Sequence, residues 1–262
     1  MNMAVKDRVI ALDGVANLRD YGGYAVAGGA RVRRGILFRS GDQHAATERD
    51  LSALAALNLA AIVDLRGNGE RERHPSLRPD GCKARVLFFD GETAGLAPHL
   101  EAAEGVLDEA GAHRAMERIY ARLPFRENLI WIMRRYFAVL AEGQSASLVH
   151  CHAGKDRTGM AVALLHHALG VHPDDAMEDY LLTNSAVDLD ARVADNRETA
   201  RQKYGARDDA TIRVLMGVDA RYLDAAYRAL REEHGSIDAF LRQVLQVDDE
   251  RMEALRLHLL ER

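Results

Sequence analysis

Leu148-Val149-His150-Cys151-His152-Ala153-Gly154-Lys155-Asp156-Arg157-Thr158-Gly159 joins a short apolar strand to an amphipathic segment that runs to Leu169 and stops at Gly170. Ala161, Leu164, Leu165, Ala168 and Leu169 fall on one face of that segment, so the spacing predicts a helix over 157–169 with Gly170 as its stop. Strand, polar loop, helix is a phosphate-binding architecture. The first amides of the helix are unpaired donors that point into the loop, and the helix dipole adds partial positive charge there. A tetrahedral oxyanion fits such a site.

Each loop residue has a chemical reason for its place. A cysteine over a helix N-terminus sees a field that favours the thiolate, so Cys151 is the candidate nucleophile. Gly154 lets successive amides of His152, Ala153 and Gly154 turn inward as an anion nest. Arg157, six positions after Cys151, can grip two phosphate oxygens in a planar fork, which lysine cannot do. Thr158 can donate its hydroxyl toward the sulfur, and Lys155 adds positive charge at the rim. Asp156 is the odd member: a carboxylate beside a phosphate is accounted for by a proton-donating role or by a salt bridge with Lys155 or Arg157. A Walker loop is excluded, because Val149 and Asp156 stand where a glycine and a Ser/Thr are needed. His150, Cys151 and His152 are adjacent on a strand end and diverge, so no metal site is expected.

The rest of the 262 residues reads as one continuous domain over 1–262, without repeats, low-complexity tracts or linkers. Short strands and turns lead from Val9 to Phe38; a helix follows Thr47 and ends near Leu57; Ala61 to Leu65 and Val86 to Phe89 read as buried parallel strands. Residues 91–119 contain no aromatic residue and read as marginal outer helices, a lid-like segment. Leu129, Ile132, Met133, Tyr136, Phe137 and Leu140 mark a buried helix carrying Trp131, whose role is packing. From Pro173 to the end the chain reads as all helix.

With 40 acidic against 35 basic residues the net charge is −5, which disfavours nucleic acid. Residues 1–40 nonetheless hold seven Lys+Arg and three Asp+Glu, a local excess that reads as a solvated face or an anion site. Two cysteines, Cys82 and Cys151, exclude a disulfide scaffold, and Cys82 reads as a buried or half-buried bystander. No secretory signal and no apolar run of membrane-spanning length is visible, so a cytoplasmic location is expected, with export by another route left open, and stable membrane insertion is not expected.

The loop HCHAGKDRTG resembles the phosphate loop of cysteine-dependent phosphatases, and its Gly-Lys-Asp-Arg-Thr-Gly core resembles that of bacterial tyrosine phosphatases related to mycobacterial protein tyrosine phosphatase B. Asn17-Leu18-Arg19-Asp20-Tyr21-Gly22-Gly23, Val32-Arg33-Arg34-Gly35, Leu37-Phe38-Arg39-Ser40 and Asp64-Leu65-Arg66 resemble further motifs of that family. The resemblance implies an α/β phosphotyrosine phosphatase-like fold, with a central, mostly parallel sheet flanked by helices. It implies hydrolysis of phosphate monoesters through a phosphocysteine on Cys151, without a metal or other cofactor. The implied substrate is a phosphorylated protein, with tyrosine or dual specificity, or a phosphoinositide; Lys155 resembles the feature tied to inositol phosphates. The proton for the leaving oxygen comes from Asp90, at a strand end where dual-specificity enzymes carry their acid, or from Asp156 in the loop. A catalytically idle phosphate-binding module and a sulfur-transfer enzyme are the alternatives. Intact Cys151 and Arg157 oppose the first, and Thr158-Gly159 opening a helix opposes the second.

Overall fold

The computed structural model describes residues 7–92, 101–102, 108–143, 145–195 and 208–262. A five-stranded sheet is ordered β1-β3-β6-β4-β5, where β1 is Arg19–Asp20, β3 Leu37–Ser40, β4 Ala61–Asp64, β5 Arg85–Phe88 and β6 Ser147–His150. β3, β6, β4 and β5 run parallel, and only β1 is antiparallel. The register sets Ser40, His150 and Asp64 side by side. Three chain segments therefore leave the sheet together at its carboxyl end, the place where open α/β sheets build their sites.

Alternation along the strands sorts two cores. Leu37, Val63 and Val149 face the larger one, which is closed by helices from the second half of the chain. Phe38, Ile62 and Leu148 face a smaller one that holds Val15, Leu18 and Leu54. Leu54 lies on α1, Glu48–Ala56, whose start is set by a capping box between Thr47 and Asp50. After β4 comes α2, Asn68–Arg73. On the larger side lie α3 (Glu109–Arg122), α4 (Glu127–Ala141), α5 (Asp156–Leu169) and α6 (Pro173–Ala186). They are followed by α7 (Leu189–Asp195), α8 (Asp209–Met216), α9 (Ala220–His234), α10 (Ile237–Gln243) and α11 (Asp249–Leu259). Gly170, at φ +83°, ends α5 as the sequence predicts.

Four expectations are corrected. Residues 109–119 are not an outer layer: Ala112, Ala115, Met116 and Ile119 are buried on α3, where small side chains let α9 approach closely. Weak hydropathy there reflects close packing of alanines; residues 93–100 and 103–107 of the lid-like segment lie outside the described residues. β5 is an edge strand and only half buried, with Phe88 exposed, because among the described residues no strand covers its outer side. The C-terminal third is not all helix, since β7, Leu260–Glu261, pairs antiparallel with β2, Arg31–Val32. The basic excess of residues 1–40 is divided: Arg8, Arg19 and Arg39 are buried, whereas Arg31 and Arg34 are exposed and Arg33 is half-buried. Trp131 packs edge-on against Phe89, with Arg135 over its ring.

Candidate active site

Cys151 follows β6 directly and is buried, 3% exposed, at the start of the loop into α5. No side chain caps α5, so the amides of its first turn stay open toward the loop. Gly154 adopts φ +66°, and a Cβ there would stand 2.4 Å from the carbonyl of Ser40. Only glycine satisfies both conditions. The Gly154 carbonyl is held from behind by Asn17 Nδ2 at 2.7 Å and Arg39 Nη2 at 3.1 Å. Asn17 is itself left-handed, φ +61°, a conformation asparagine tolerates.

Arg39 and Arg19 share one buried carboxylate. Asp179 on α6 accepts from Arg39 Nη1 at 2.7 Å and Arg19 Nε at 3.3 Å. Burial alone would raise the Asp179 carboxyl; the two guanidiniums outweigh it and hold it far below the usual range. Two cations against one anion leave net positive charge beneath the loop. On the neighbouring side Asp42 accepts from His152 Nδ1 at 2.7 Å, His44 Nδ1 at 2.5 Å and Arg66 Nη1 at 3.2 Å. Arg66 also forks onto Asp64, through Nε at 2.9 Å and Nη2 at 2.7 Å. His150 is fully buried, and burial pushes its imidazole toward the neutral form.

Arg157 is gripped end-on by Glu70, with Nη1 donating to Oε2 at 2.5 Å and Nη2 to Oε1 at 2.7 Å. Nη1 also donates to the Leu65 carbonyl at 3.3 Å. Of five N–H groups three are thus engaged, and Nε is buried without a protein partner. The two remaining N–H bonds, one on Nε and one on Nη2, lie side by side on one edge of the guanidinium. Burial raises the Glu70 carboxyl, but Arg157 outweighs it and lowers it below 4.5. The Thr158 hydroxyl is likewise buried and without a protein partner. Buried donors are normally paired, so two orphans in one loop mark a place for a ligand oxygen or an anionic sulfur.

The remaining sequence candidates fall unequally. His152 and Ala153 are half-buried and line a cleft of about 630 Å³ together with the 9–18 segment. Lys155 is not at the rim: it is 3% exposed, and its Nζ donates to the carbonyls of Leu215 at 2.8 Å and Gly217 at 3.0 Å. A buried ammonium needs such acceptors, and α8 supplies them at its carboxyl end. Asp156 takes the salt bridge the sequence allowed, 3.3 Å from Lys155 Nζ, and accepts from Tyr120 OH at 2.8 Å. Asp90 is exposed and accepts from Asn68 Nδ2 at 3.1 Å, with no described contact to the loop. Cys82 is exposed, not buried, and both cysteines are free thiols. Glu70, Asp42, Tyr120 and Asp179 are absent from the sequence reading. Glu70 follows the Asp64-Leu65-Arg66 motif by four residues among several charges, and Asp179 carries no local signal at all.

Cys151 at the end of β6 and Arg157 on the first turn of α5 lie on one loop-and-helix unit at the carboxyl end of the sheet. The tyrosine phosphatase family model matches residues 10–261. A Cupriavidus necator protein that carries the name tyrosine-protein phosphatase is 37% identical over 246 residues, 91% of this chain and 85% of that one. The triple specificity protein phosphatase PtpB of Mycobacterium tuberculosis is 31% identical over 267 residues, 92% of this chain and 94% of that one. A Nostoc commune tyrosine-protein phosphatase is 27% identical over 228 residues, 84% of this chain and 73% of that one. The chain belongs to the tyrosine phosphatase family, and is a hydrolase acting on phosphate monoesters.

Proposed function

We propose that this phosphatase hydrolyses phosphotyrosine and other phosphomonoesters on proteins through a phosphocysteine formed on Cys151. The observation that carries the reading is the Arg157 guanidinium: Glu70 and Leu65 take three of its N–H bonds and leave a side-on fork. That fork matches two oxygens of a phosphoryl group. The Cys151 thiolate attacks phosphorus, the P–O bond to the alcohol breaks, and the leaving oxygen takes a proton. Water then attacks the phosphocysteine, the P–S bond breaks, and inorganic phosphate and the thiolate return. Thr158, with its unpaired hydroxyl, donates toward the departing sulfur.

Asp156 is the proton donor favoured by position, next to Arg157 on the first turn of α5. Tyr120 and Lys155 both engage its Oδ1, so Oδ2 is the oxygen left for the leaving group. Asp90 is exposed, and its Oδ1 accepts from Asn68 Nδ2 at 3.1 Å. A general acid is worth about a hundredfold to ten-thousandfold, most for poor leaving groups. Asp156→Asn therefore slows alkyl phosphates far more than p-nitrophenyl phosphate, and an unchanged ratio between the two removes Asp156 from the role. Cys151→Ser abolishes turnover and keeps vanadate binding; turnover that survives it overturns the mechanism. Lys155 has its ammonium on backbone carbonyls, so phosphoprotein is preferred here over phosphoinositide. The name of the mycobacterial relative, triple specificity, makes a panel of phosphotyrosine, phosphoserine and phosphothreonine peptides with a phosphoinositide arm the direct test.

A further inference from the structure

Three imidazoles gather beside the loop between β6 and α5. His152, the residue after Cys151, is half-buried; the ring of His74 lies 5.0 Å from it and that of His44 6.5 Å, centre to centre, and His74 and His44 are 4.6 Å apart. They come from separate segments: His44 follows β3, His74 caps the end of α2, and His152 stands on the loop itself. His44 is exposed and borders the same cleft of about 630 Å³ as His152 and Ala153. Asp42 fixes how its ring faces. Burial would raise the Asp42 carboxyl, but the hydrogen bonds from His152 and His44 outweigh it and keep it ionised, able only to accept. Nδ1 of His44 therefore donates to Asp42, at 2.5 Å. Nε2 of His44, with no partner among the described residues, is an acceptor in the neutral ring and a donor once a second proton is added. The half-buried His74 ring makes no hydrogen bond to a described residue, and burial and the two neighbouring imidazoles push it toward the neutral form.

We propose that His44 and His74 form a subsite for a carboxylate of the substrate, carried on a residue close to the phosphorylated one, and that the subsite takes up protons as it binds. This rests on the phosphoprotein reading above and adds to it a preference for acidic flanking sequence. The two outer rings stand one imidazole beyond His152, so a side chain one or two residues from the phosphorylated position spans the gap. The sign of the pH dependence comes from the fixed charges around the rings. Asp42, Asp64 and Glu70 are paired with Arg66 and Arg157, three carboxylates against two guanidiniums. His152 acts on Glu70, and Asp42 and Arg66 act on His74. With neutral rings that surplus of negative charge repels a carboxylate. One proton on the cluster cancels the surplus and a second attracts, and a bound carboxylate in turn offsets the repulsion between charged rings 4.6 Å apart. Imidazoles make that change between pH 8 and pH 5, so acidity converts repulsion into recognition.

The test compares two phosphotyrosine peptides that differ only in their flanks, with two glutamates on each side in one and two glutamines in the other. Glutamate stays largely ionised above pH 5, and the phosphate and the catalytic groups titrate alike for both peptides, so they cancel in the ratio of kcat/KM. That ratio, acidic over neutral, should rise at least tenfold from pH 8 to pH 5.5 in the unmutated protein. In the double variant His44→Gln, His74→Gln it should rise less than threefold. The protein carries 11 histidines, so a general field effect would survive those two changes. Proton uptake gives a second measurement that needs no turnover. Calorimetry on Cys151→Ser at pH 6.5, in two buffers of different ionisation enthalpy, should find at least half a proton more taken up with the acidic peptide than with the neutral one. A ratio independent of pH, a rise that the double variant keeps, or equal proton uptake overturns the subsite and leaves phosphopeptide hydrolysis standing. Failure of both peptides to release phosphate overturns the phosphoprotein reading, and the subsite with it.

Discussion

The two faces of the central sheet carry different loads. On the face of Leu37, Val63 and Val149 a helical layer closes a large core, and the buried ion cluster of Arg19, Arg39 and Asp179 sits within it, bound to the back of the loop between β6 and α5. On the face of Phe38, Ile62 and Leu148 a single helix and the 9–18 segment close a small core with no such cluster, and a 340 Å³ cavity opens beside it. One face holds buried ion pairs; on the other a buried carboxylate, Asp50, ties the 9–18 segment to α1 by accepting from Asp13 N and Gly14 N, and apolar contact does the rest. Buried charges are unforgiving of a missing partner, whereas a thin apolar layer next to a cavity can relax.

Asp179→Asn is the strongest way to break that contrast. It strips two buried guanidiniums of the carboxylate they share and should cost about 3–5 kcal/mol of stability, seen as a shifted denaturant midpoint. Gly154→Ala comes next: the Cβ collides with the Ser40 carbonyl, and displacement of the loop should lower kcat/KM on the order of a hundredfold with a smaller loss in Tm. On the thin face Leu54→Ala should cost about 2–3 kcal/mol and leave kcat within a few fold, which chemical denaturation and steady-state kinetics separate.

Glu70→Gln sharpens the comparison at the site itself. It keeps the shape and loses the charge that orients Arg157, so turnover should fall about tenfold, the equivalent of one charge-assisted hydrogen bond. The pH dependence has a defined sign. Because the Glu70 carboxyl is lowered from 4.5 in the folded state, its contribution to stability is complete above pH 4.5 and is lost as pH falls through the folded value. The difference in Tm between Glu70→Gln and the unmutated protein should therefore shrink below pH 4.5; a difference that stays constant at lower pH contradicts the pairing. The smallest effect is expected from Phe88→Ser on the exposed edge strand, within about 0.5 kcal/mol.

The loop was legible because its chemistry is local. Cys151, Gly154, Arg157 and Thr158 stand within eight consecutive positions, between a strand and a helix whose own periodicity is plain. The motif from Asn17 to Gly23 was legible as a resemblance, and the structure gives its reason: Asn17 holds the Gly154 carbonyl, Arg19 binds Asp179, and Tyr21 meets Tyr136 through their hydroxyls at 2.7 Å. α3 was misread because hydropathy measures how apolar a side chain is, and Ala112 and Ala115 are buried for being small. Lys155 was placed at the rim on its charge alone, a rule that fails when backbone carbonyls receive the ammonium.

By itself the sequence determined the strand, the loop and the helix that follow one another from Leu148 to Leu169, hence the candidate nucleophile and arginine and, through the family, the class of reaction. Those features rest on backbone geometry and on neighbours within a few residues. Tertiary structure alone decided what surrounds them: Glu70 against Arg157, 87 positions apart; Asp179 beneath Arg39, 140 apart; and the imidazoles of His44 and His74 beside His152. A carboxylate in a sequence has no direction. Only packing places its charge within reach of one guanidinium and out of water, and that placement turns a common residue into part of a site.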